Sequence, residues 1–388
     1  MGGAAHQGQR PAAERTCPVS GQEATAEPQD PRLTELYKEF DSLGLIPLWT
    51  EREDLMPLHP HPAAVPHRWR WSELYAAAVR AGELVPVGRG GERRAISLSN
   101  PGLHGLPHAT PTLWAAIQYL GPHEVAPVHR HAQNAFRFVL EGEGVWTLVD
   151  GDPVAMRRGD LLLTPGWAWH GHHNTTDRPM AWLDGLDIPL SSALNTEFFE
   201  FGPDTLEDRS TPERSRAERL WGHPGLRPLS RLADTPRSPL AAYRWEHTDA
   251  ALAGQLELEA EGHDGVTAHT GHAAVRFSNP TTGADALPTL RTEMHRLRAG
   301  AAVPASREVA SSVWQVFDGS GAFVVNGERF EVTRGDLVTV PSWAEVSIEA
   351  GAGAGAPLDL FRFSDAPVME KLHFHTLPTT VAEGTTHR

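Results

Sequence analysis

The spacing of apolar residues predicts two helices near the start of the chain, followed by a long region of β-structure. Apolar residues recur at helical spacing from Leu33 to Phe40, and Gly44 ends that pattern. A second helix is predicted from Ser72 to Gly82. From about residue 84 to 190, short apolar runs alternate with Gly, Pro, Asn and Asp turns, which is typical of an all-β domain. The same alternation of short apolar runs and turn residues returns between residues 255 and 365.

These changes of texture divide the chain into two β-domains with connecting and terminal segments. Residues 1–30 are rich in Ala, Gly, Gln, Glu and Pro and are interpreted as a mobile tail. Residues 203–245 are charged and proline-rich, which indicates a linker with one helix near Glu213 to Leu220. The predicted limits are therefore a tail over 1–30, a helical segment over 31–83, a first β-domain over 84–202, a linker over 203–245, a second β-domain over 246–370 and a tail over 371–388.

The second β-domain is a degraded copy of the first. Arg158–Leu161 recurs as Arg334–Leu337, and Ser99–Pro101 recurs as Ser278–Pro280. The offset lies between 176 residues (Arg158 to Arg334) and 179 residues (Ser99 to Ser278). Shared turn motifs at a nearly constant offset indicate an internal duplication.

Three histidines in the first copy have the spacing of metal ligands. His129 and His131 alternate along a predicted strand and therefore point to the same side, and His170 lies on a later strand. Three neutral imidazoles on one face hold a divalent metal and leave its other positions open for chemistry. The second copy keeps the turn residues but loses all three imidazoles, and carries at those positions Ser306, Glu308 and Val346. Because histidines needed only for packing have no reason to vanish together, the loss favours a metal site in the first copy alone.

Composition argues against several other classes of function. The 34 basic and 49 acidic residues give a formal charge of −15, which argues against a nucleic-acid or anionic-membrane partner. Cys17 is the single cysteine, so an internal disulfide and multi-cysteine zinc sites are excluded. No apolar run is long enough to span a bilayer and no signal peptide opens the chain, so the cytoplasm is the expected compartment.

The histidine motifs resemble those of the cupin superfamily. Gly159, Pro165, His170 and Asn174 have the usual spacing of the later cupin motif. The early motif departs from the pattern, because the common cupin glutamate after the second histidine is absent and residues 135–136 are Ala-Phe. This departure points to a site made of three histidines alone.

A more specific resemblance covers roughly residues 33 to 370. The chain is similar to the gentisate 1,2-dioxygenase family, which also includes salicylate and 1-hydroxy-2-naphthoate dioxygenases, in the runs Pro47–Trp49, Glu53–Pro57, Val85–Arg94, Pro111–Gln118 and His129–Phe138. The resemblance implies an all-β bicupin, with two tandem double-stranded β-helix (jelly-roll) barrels after an N-terminal helical segment. The first barrel is expected to be catalytic and the second metal-free.

The same resemblance implies the chemistry and the partners. It implies Fe(II) as the cofactor, gentisate and O2 as the substrates, and ring cleavage between C1 and C2 to maleylpyruvate in aromatic catabolism. A cytoplasmic homotetramer, with no nucleic-acid or membrane partner, is expected.

Individual residues around the site are assigned partly by the face of the strand on which they lie and partly by the resemblance. Arg137 shares the parity of His129 and His131, so its guanidinium is expected to face inward, where it can bind the substrate carboxylate bidentately. The expected metal ligands are His129, His131 and His170. The expected substrate-binding residues are Arg137, His172, Gln118, Trp114, Arg89 and Arg93. Asp184 and His172 are the expected catalytic residues, with Asp184 orienting or polarising a ring hydroxyl.

Other interpretations stay open on the sequence alone. A sister dioxygenase for salicylate or 1-hydroxy-2-naphthoate would use identical iron and carboxylate contacts. A non-catalytic ligand-binding bicupin, or an isomerase or decarboxylase that uses Mn or Zn, is the alternative from another class. Arg137 is equally consistent with an ordinary buried ion pair, Trp114 with core packing, and the arginines from 89 to 94 with a solvated charge run.

Overall fold

A computed structural model describes most of the chain, over residues 30–55, 57, 59–87, 94–202, 209–223, 225–353 and 355–374. Its helices are α1 (Pro31–Ser42), α2 (Leu48–Leu55), α3 (Trp71–Leu84), α4 (Ile188–Ala193), α5 (Arg216–Trp221), α6 (Trp245–Ala260) and α7 (Ala366–Lys371). The strands of the first half are β1 (His67–Trp69), β2 (Ala95–Ser97), β3 (Trp114–Leu120), β4 (Val125–His131), β5 (Ala135–Glu141), β6 (Glu143–Val149), β7 (Asp152–Arg157), β8 (Leu161–Thr164), β9 (His170–Asn174), β10 (Met180–Leu186) and β11 (Phe199–Phe201). Those of the second half are β12 (Ala242–Tyr243), β13 (His272–Arg276), β14 (Arg291–Leu297), β15 (Ala302–Arg307), β16 (Ser312–Asp318), β17 (Ser320–Val325), β18 (Glu328–Thr333), β19 (Leu337–Val340), β20 (Glu345–Ala350) and β21 (Leu358–Ser364).

Four antiparallel sheets form two barrels. The sheets of the first barrel have the strand orders β12-β8-β5-β10-β3-β2 and β11-β4-β9-β6-β7. The sheets of the second have the orders β1-β19-β16-β21-β14-β13 and β15-β20-β17-β18. Large side chains such as Trp182 in the first barrel and Phe323 in the second are fully buried. The predicted pair of tandem jelly-roll barrels, with a helical segment before them, is confirmed.

The barrels exchange strands. β1, which precedes the first barrel in the chain, pairs with β19 of the second barrel, and β12 pairs with β8 of the first. The helix after each exchanged strand is held in the same way, because Asp336 accepts from the backbone N–H of Trp71 and Asp160 accepts from that of Trp245, both at 2.9 Å. A Cβ at Gly159 would lie 2.7 Å from the Trp245 ring, so glycine is needed there. The repeated Gly-Asp motif therefore docks the exchanged helix.

The predicted second β-domain opens with a helix that the sequence did not indicate. β-Structure is predicted from residue 255, whereas Trp245–Ala260 is the helix α6. Thr248, Leu252 and Leu256 are its buried residues and recur every four positions, but Ala and Gly fill much of the remainder and weaken the amphipathic contrast. Within the predicted linker, α5 begins with a capping box formed by Ser215 and Glu218. As limits of separate domains, the predicted boundaries stay a prediction.

An aromatic layer joins the outer faces of the two barrels. Phe138 of β5 stacks on Phe361 of β21, with ring centroids 4.0 Å apart and planes at 6°. Phe136 meets Phe363 edge to face at 4.9 Å. These four side chains belong to one buried cluster that contains residues from both barrels. The barrels therefore share a single hydrophobic layer, which couples their stabilities.

Two hydroxyl–carboxylate contacts cross between the barrels. Thr289, which precedes β14, donates through Oγ1 to Asp187 at 2.5 Å. Thr112, which precedes β3, donates to Asp365 in the equivalent place. Both aspartates are buried, and burial raises the pKa of Asp365 to about 6 and shifts the pKa of Asp187 in the same direction. Each barrel thus supplies a threonine to a buried aspartate of the other.

The residues before Pro62 form a compact unit of their own. α1 begins after Asp30, whose carboxylate accepts from the backbone N–H of Arg32 at 3.0 Å. Trp49 Nε1 donates to the Tyr37 hydroxyl at 3.1 Å and so ties α2 to α1. Among the described residues, no helix is both long and apolar enough to cross a membrane.

Candidate metal centre

Two neighbouring strands of the first barrel bring three histidines together. His129 and His131 lie on β4, and His170 begins β9, which pairs with β4. An irregularity in this pairing between Ala126 and His129 shifts the register so that His129 lies opposite His170. One ligand atom of each imidazole lies within 4.8 Å of those of the other two, and all three residues are buried. The structure therefore assembles the three histidines into one group.

A backbone carbonyl fixes the orientation of each ring. In all three histidines Nδ1 lies 2.9 to 3.0 Å from a carbonyl oxygen two residues away. Because a carbonyl only accepts, Nδ1 carries the proton and Nε2 is left as the lone-pair nitrogen. Nε2 of His170 has no hydrogen-bond partner within the described residues. Burial, and then the nearby His129, Arg137 and His131, hold the pKa of His170 well below its usual range, so this ring is neutral.

This donor set fits a divalent first-row metal ion. Neutral imidazole is a common ligand of iron, copper, nickel and zinc, and three such ligands leave further coordination positions for small molecules. No carboxylate belongs to the group, and Ala135 and Phe136 begin β5 where the common cupin glutamate is missing. Within the part of the chain that the structure describes, no other set of three or more His, Cys, Asp or Glu side chains could hold a metal.

Arg137 on β5 is held by two buried partners close to the three histidines. Its Nε lies 3.4 Å from Oδ1 of Asp184 on β10, and its Nη1 donates to Thr164 Oγ1 at 2.5 Å. Trp182 Nε1 donates to the same Asp184 oxygen at 3.1 Å. Arg137 and Asp184 are almost fully buried, so solvent screens their attraction little. The structure thus shows the buried ion pair of Arg137 that the sequence left open as an alternative. The Arg137 side chain lies on the inward face of β5, as the alternation of side chains along a strand predicts.

The other predicted substrate residues line the same barrel. Gln118 on β3 is buried, and its Oε1 has no hydrogen-bond partner among the described residues. Trp114 shares this face of β3 and is half-buried. His172 lies on the same face of β9 as His170, and its Nδ1 is 2.9 Å from Thr147 Oγ1. These three residues therefore lie on strands of the barrel that holds the three histidines, and their role in substrate binding stays a prediction.

Two predicted residues, Arg89 and Arg93, lie outside the described residues. Their neighbour Arg94 is described, and its guanidinium forms an ion pair with Glu124 and donates to the carbonyl of Gly82 at 2.9 Å. Arg94 therefore anchors the start of β2, and the structure assigns it no contact with the histidines.

Sequence reasoning missed Phe199. Its ring stacks on His129 with centroids 5.3 Å apart and planes at 20°, because β11 pairs with β4. Beside it, a cavity of about 280 Å³ is lined by His131, Gln133, Leu186, Ile188, Glu197, Phe198 and Phe199. The only signal in the sequence was a short aromatic run at 198–201, which carries no motif. Its place opposite β4 depends on a pairing register that the sequence does not reveal.

Comparison with known proteins identifies the family. The model of the Cupin domain matches residues 116–186. A gentisate 1,2-dioxygenase from Streptomyces sp is 68% identical over 340 residues, which cover 88% of this chain and 93% of that protein. The chain belongs to the gentisate 1,2-dioxygenase family. The predicted membership, in a family of ring-cleaving dioxygenases, is confirmed.

Other members of the gentisate 1,2-dioxygenase family extend the comparison. A crystal structure of salicylate 1,2-dioxygenase from Pseudoaminobacter salicylatoxidans with gentisate is 59% identical, has a TM-score of 0.87 and covers 92% of this chain and 96% of that one. A 1-hydroxy-2-naphthoate 1,2-dioxygenase from Nocardioides sp. (strain KP7) is 34% identical over 361 residues, or 91% of this chain and 87% of that protein. The fold and the family thus agree over nearly the whole chain.

Proposed function

We propose that the protein is an Fe(II)-dependent dioxygenase that cleaves gentisate with O2 between C1 and C2 and yields maleylpyruvate. The ring bond between the carboxyl-bearing and the hydroxyl-bearing carbon breaks, and both oxygen atoms enter the product, so no further co-reactant is needed. The observation that carries the proposal is a buried group of three histidines in a chain that is 68% identical to a gentisate 1,2-dioxygenase.

The three histidines would hold iron through their Nε2 atoms. Neutral ligands leave the +2 charge of a ferrous ion uncompensated, which favours a dianionic 2-hydroxybenzoate with its carboxylate and hydroxyl side by side. When bound, the ferrous ion supplies the redox chemistry with O2. The contribution of the protein is to hold the acid in one orientation inside a buried pocket, which removes the entropy penalty of an encounter in solution.

Arg137 is the residue that we assign to the substrate carboxylate. A guanidinium has five N–H donors in a planar fork, which matches the two oxygens of a carboxylate. Asp184 holds Nε and Thr164 holds Nη1, so the plane of the fork is set before the substrate arrives. We therefore assign to Asp184 the positioning of Arg137, and its contact with a ring hydroxyl stays a prediction.

Three further residues complete the proposed pocket. Gln118 offers a buried acceptor, Oε1, to a ring hydroxyl. His172 is held through Nδ1 by Thr147 and is assigned to a second hydrogen bond to the substrate. Trp114 is assigned to an aromatic wall. Arg89 and Arg93 stay predicted substrate residues on the strength of the family motif.

Salicylate is the second candidate substrate. The observation that favours it is the 59% identity to a salicylate 1,2-dioxygenase, compared with 68% to a gentisate 1,2-dioxygenase. The two acids differ in one ring hydroxyl, so the iron and carboxylate contacts would be the same for both. We expect gentisate to be preferred, because the more similar of these two relatives is the gentisate enzyme.

Oxygen uptake tests the proposal. Protein reconstituted with Fe(II) without air, then mixed with gentisate and air, is expected to consume one O2 per gentisate and to develop the near-ultraviolet absorbance of an enol product. Salicylate and 1-hydroxy-2-naphthoate are run in parallel. A faster reaction with salicylate would identify salicylate as the preferred substrate and would leave the proposed ring cleavage by O2 unchanged. Iron-loaded protein without O2 uptake on all three acids would contradict the dioxygenase proposal and favour a non-catalytic bicupin.

We further propose that the enzyme is a cytoplasmic homotetramer, as the family resemblance implies. Light scattering after size-exclusion chromatography of the full chain, at 42.3 kDa per chain, tests the number of subunits. A monomeric mass would contradict this part of the proposal without affecting the reaction.

A further inference from the structure

The second barrel keeps a cavity at the position that the metal centre occupies in the first. Its volume is about 160 Å³, and Ser306 and Val346, which replace His129 and His170, are among its lining residues. An apolar cavity of this order of size holds one benzene ring. The loss of the imidazoles has therefore left room for a small molecule.

The cavity has an apolar side suited to a flat ring. Val303, Val340, Val346 and Ile348 line it together with Trp314, which stands where the first barrel has Arg137. Aromatic and branched aliphatic side chains of this kind dominate the walls of small-molecule sites, where a few polar groups fix the orientation of the ligand.

A buried cation lies on the other side. Arg362 replaces Asp184, and its guanidinium lies 5.1 Å from the centre of the Trp314 ring. Nη1 contacts Glu293 at 2.7 Å, and Nη2 contacts Glu308. The Glu293 side chain is 18% exposed and that of Glu308 is 52% exposed. An ion pair with an exposed partner is weak, so Glu308 is the carboxylate that an incoming carboxylate can replace.

A pair of histidines adds a polar edge. His272 Nε2 and His295 Nδ1 lie 3.0 Å apart, and within the described residues the outer nitrogens, Nδ1 of His272 and Nε2 of His295, have no hydrogen-bond partner. Burial, and then His269, lower the pKa of His272 to about 4, and burial holds that of His295 well below its usual range. In such a neutral pair one ring donates to the other, so one outer nitrogen is a donor and the other an acceptor.

We propose that this second-barrel cavity binds a monocyclic aromatic acid of the benzoate class. The carboxylate replaces Glu308 on Arg362, the ring lies against Trp314 and the aliphatic wall, and His295 forms a hydrogen bond to a polar group of the ligand. The site needs no metal and lies apart from the three histidines. It therefore does not depend on the proposed reaction.

Calorimetric titration of the full chain with benzoate tests the proposal. The protein is first freed of metal with a chelator, and Arg137→Gln is used as the background so that the first barrel does not contribute. This background is expected to bind one benzoate per chain. Adding Arg362→Gln is expected to abolish that binding. If Arg137→Gln does not fold, the same titrations are made on the wild-type chain, where Arg362→Gln removes one of two sites.

A substitution that is expected to strengthen benzoate binding provides a second test. Glu308→Gln removes the competing carboxylate from a surface position and is expected to tighten benzoate binding about fivefold. The matched control is Glu345→Gln, which removes an equally exposed carboxylate that pairs with Arg307 at 3.7 Å and does not line the cavity. Absence of binding in the Arg137→Gln chain, or equal affinities for the Glu308→Gln and Glu345→Gln chains, would overturn the proposal.

Discussion

The two barrels have the same scaffold and opposite interiors. In both, the aspartate of a Gly-Asp turn accepts from the backbone N–H of a tryptophan at 2.9 Å and so docks the exchanged helix. Inside, the first barrel carries three histidines and the second carries Ser306, Glu308 and Val346. Turn residues are therefore tied to the backbone shape, whereas the inward positions of the strands are free to change with the chemistry.

The buried arginine lies on a different strand in each barrel. In the first barrel the guanidinium of Arg137 stands on β5 and its carboxylate, Asp184, on β10. In the second, Trp314 occupies the β5 position, and the guanidinium of Arg362 occupies the β10 position. Each interior thus keeps a buried arginine, but only that of the first barrel lies beside a group of three histidines that could hold a metal.

The largest effect is expected from His131→Ala. Loss of one of three neutral ligands is expected to abolish iron retention and to reduce activity by more than about a thousandfold, because iron is the redox partner of O2. Iron per chain after desalting measures the first effect, and O2 uptake the second. His263→Ala, at an exposed position after α6, is the control and should keep both. Full iron retention by the His131→Ala chain would refute the three-histidine site.

Arg137→Gln is expected to keep iron and lose substrate. Removing a buried, hydrogen-bonded charge from a carboxylate contact weakens binding by about 4 kcal/mol, which is about a thousandfold in kcat/KM. Arg137→Lys keeps the charge but loses the planar fork and should recover only part of the loss. Steady-state kinetics and iron content are measured on the same preparations. Normal turnover by the glutamine variant would show that another group holds the carboxylate.

The two docking aspartates are expected to differ in their contribution to stability. Asp160 accepts from Arg244 at 2.5 Å, and Arg244 also pairs with Glu218, in a buried cluster. Among the described residues, no arginine pairs with Asp336, which accepts from backbone N–H groups. Asp160→Asn is therefore expected to lower the free energy of unfolding by about 4 kcal/mol, and Asp336→Asn by about 1 kcal/mol. Urea unfolding of both variants makes the comparison, and equal losses would contradict it.

The last effect, expected from Asp365→Asn, depends on pH. The pKa of Asp365 is about 6 in the folded chain and near its ordinary value of 3.8 in the unfolded chain. Folding therefore favours the protonated carboxyl, and the stability that it contributes is full below about pH 4 and is lost as the pH rises through about 6. The asparagine side chain is neutral throughout.

The measured quantity is the difference in unfolding free energy between the Asp365→Asn chain and the wild type. It is expected to shift in favour of the variant by about 2 to 3 kcal/mol between pH 4 and pH 7. Asp187→Asn should shift with the same sign, because burial raises the pKa of Asp187 as well. A difference that is constant with pH would show that Asp365 has the same pKa in both states.

The sequence was sufficient for the features that depend on local spacing. The alternation of His129 and His131, the turn glycines and the repeated Gly-Asp motif predicted the two barrels and the histidine group, because strand parity and turn geometry are local properties. The helix α6 was missed, since its buried face shows in only three residues, while Ala and Gly occupy much of its length. A helix of this kind is stabilised by the sheet against which it packs. Such tertiary packing leaves no pattern in the local sequence.

The parts of the site that could not be predicted depend on register between distant strands. Thr164, Trp182 and Phe199 contact the arginine network or a histidine only because β8, β10 and β11 pair with particular residues of β5 and β4. The irregularity between Ala126 and His129, which sets His129 opposite His170, also has no signature in the sequence. These contacts are consequences of tertiary pairing.

The exchanged strands set an order for folding during synthesis. His67 must pair with Thr339, so a segment made early on the ribosome waits unpaired until almost the entire polypeptide has emerged. The first barrel closes sooner, since its borrowed strand, β12, precedes the strands of the second barrel in the chain. Deleting the segment around β1 therefore damages the distant half of the molecule, and the carboxy-terminal half expressed by itself should expose a bare sheet edge and aggregate.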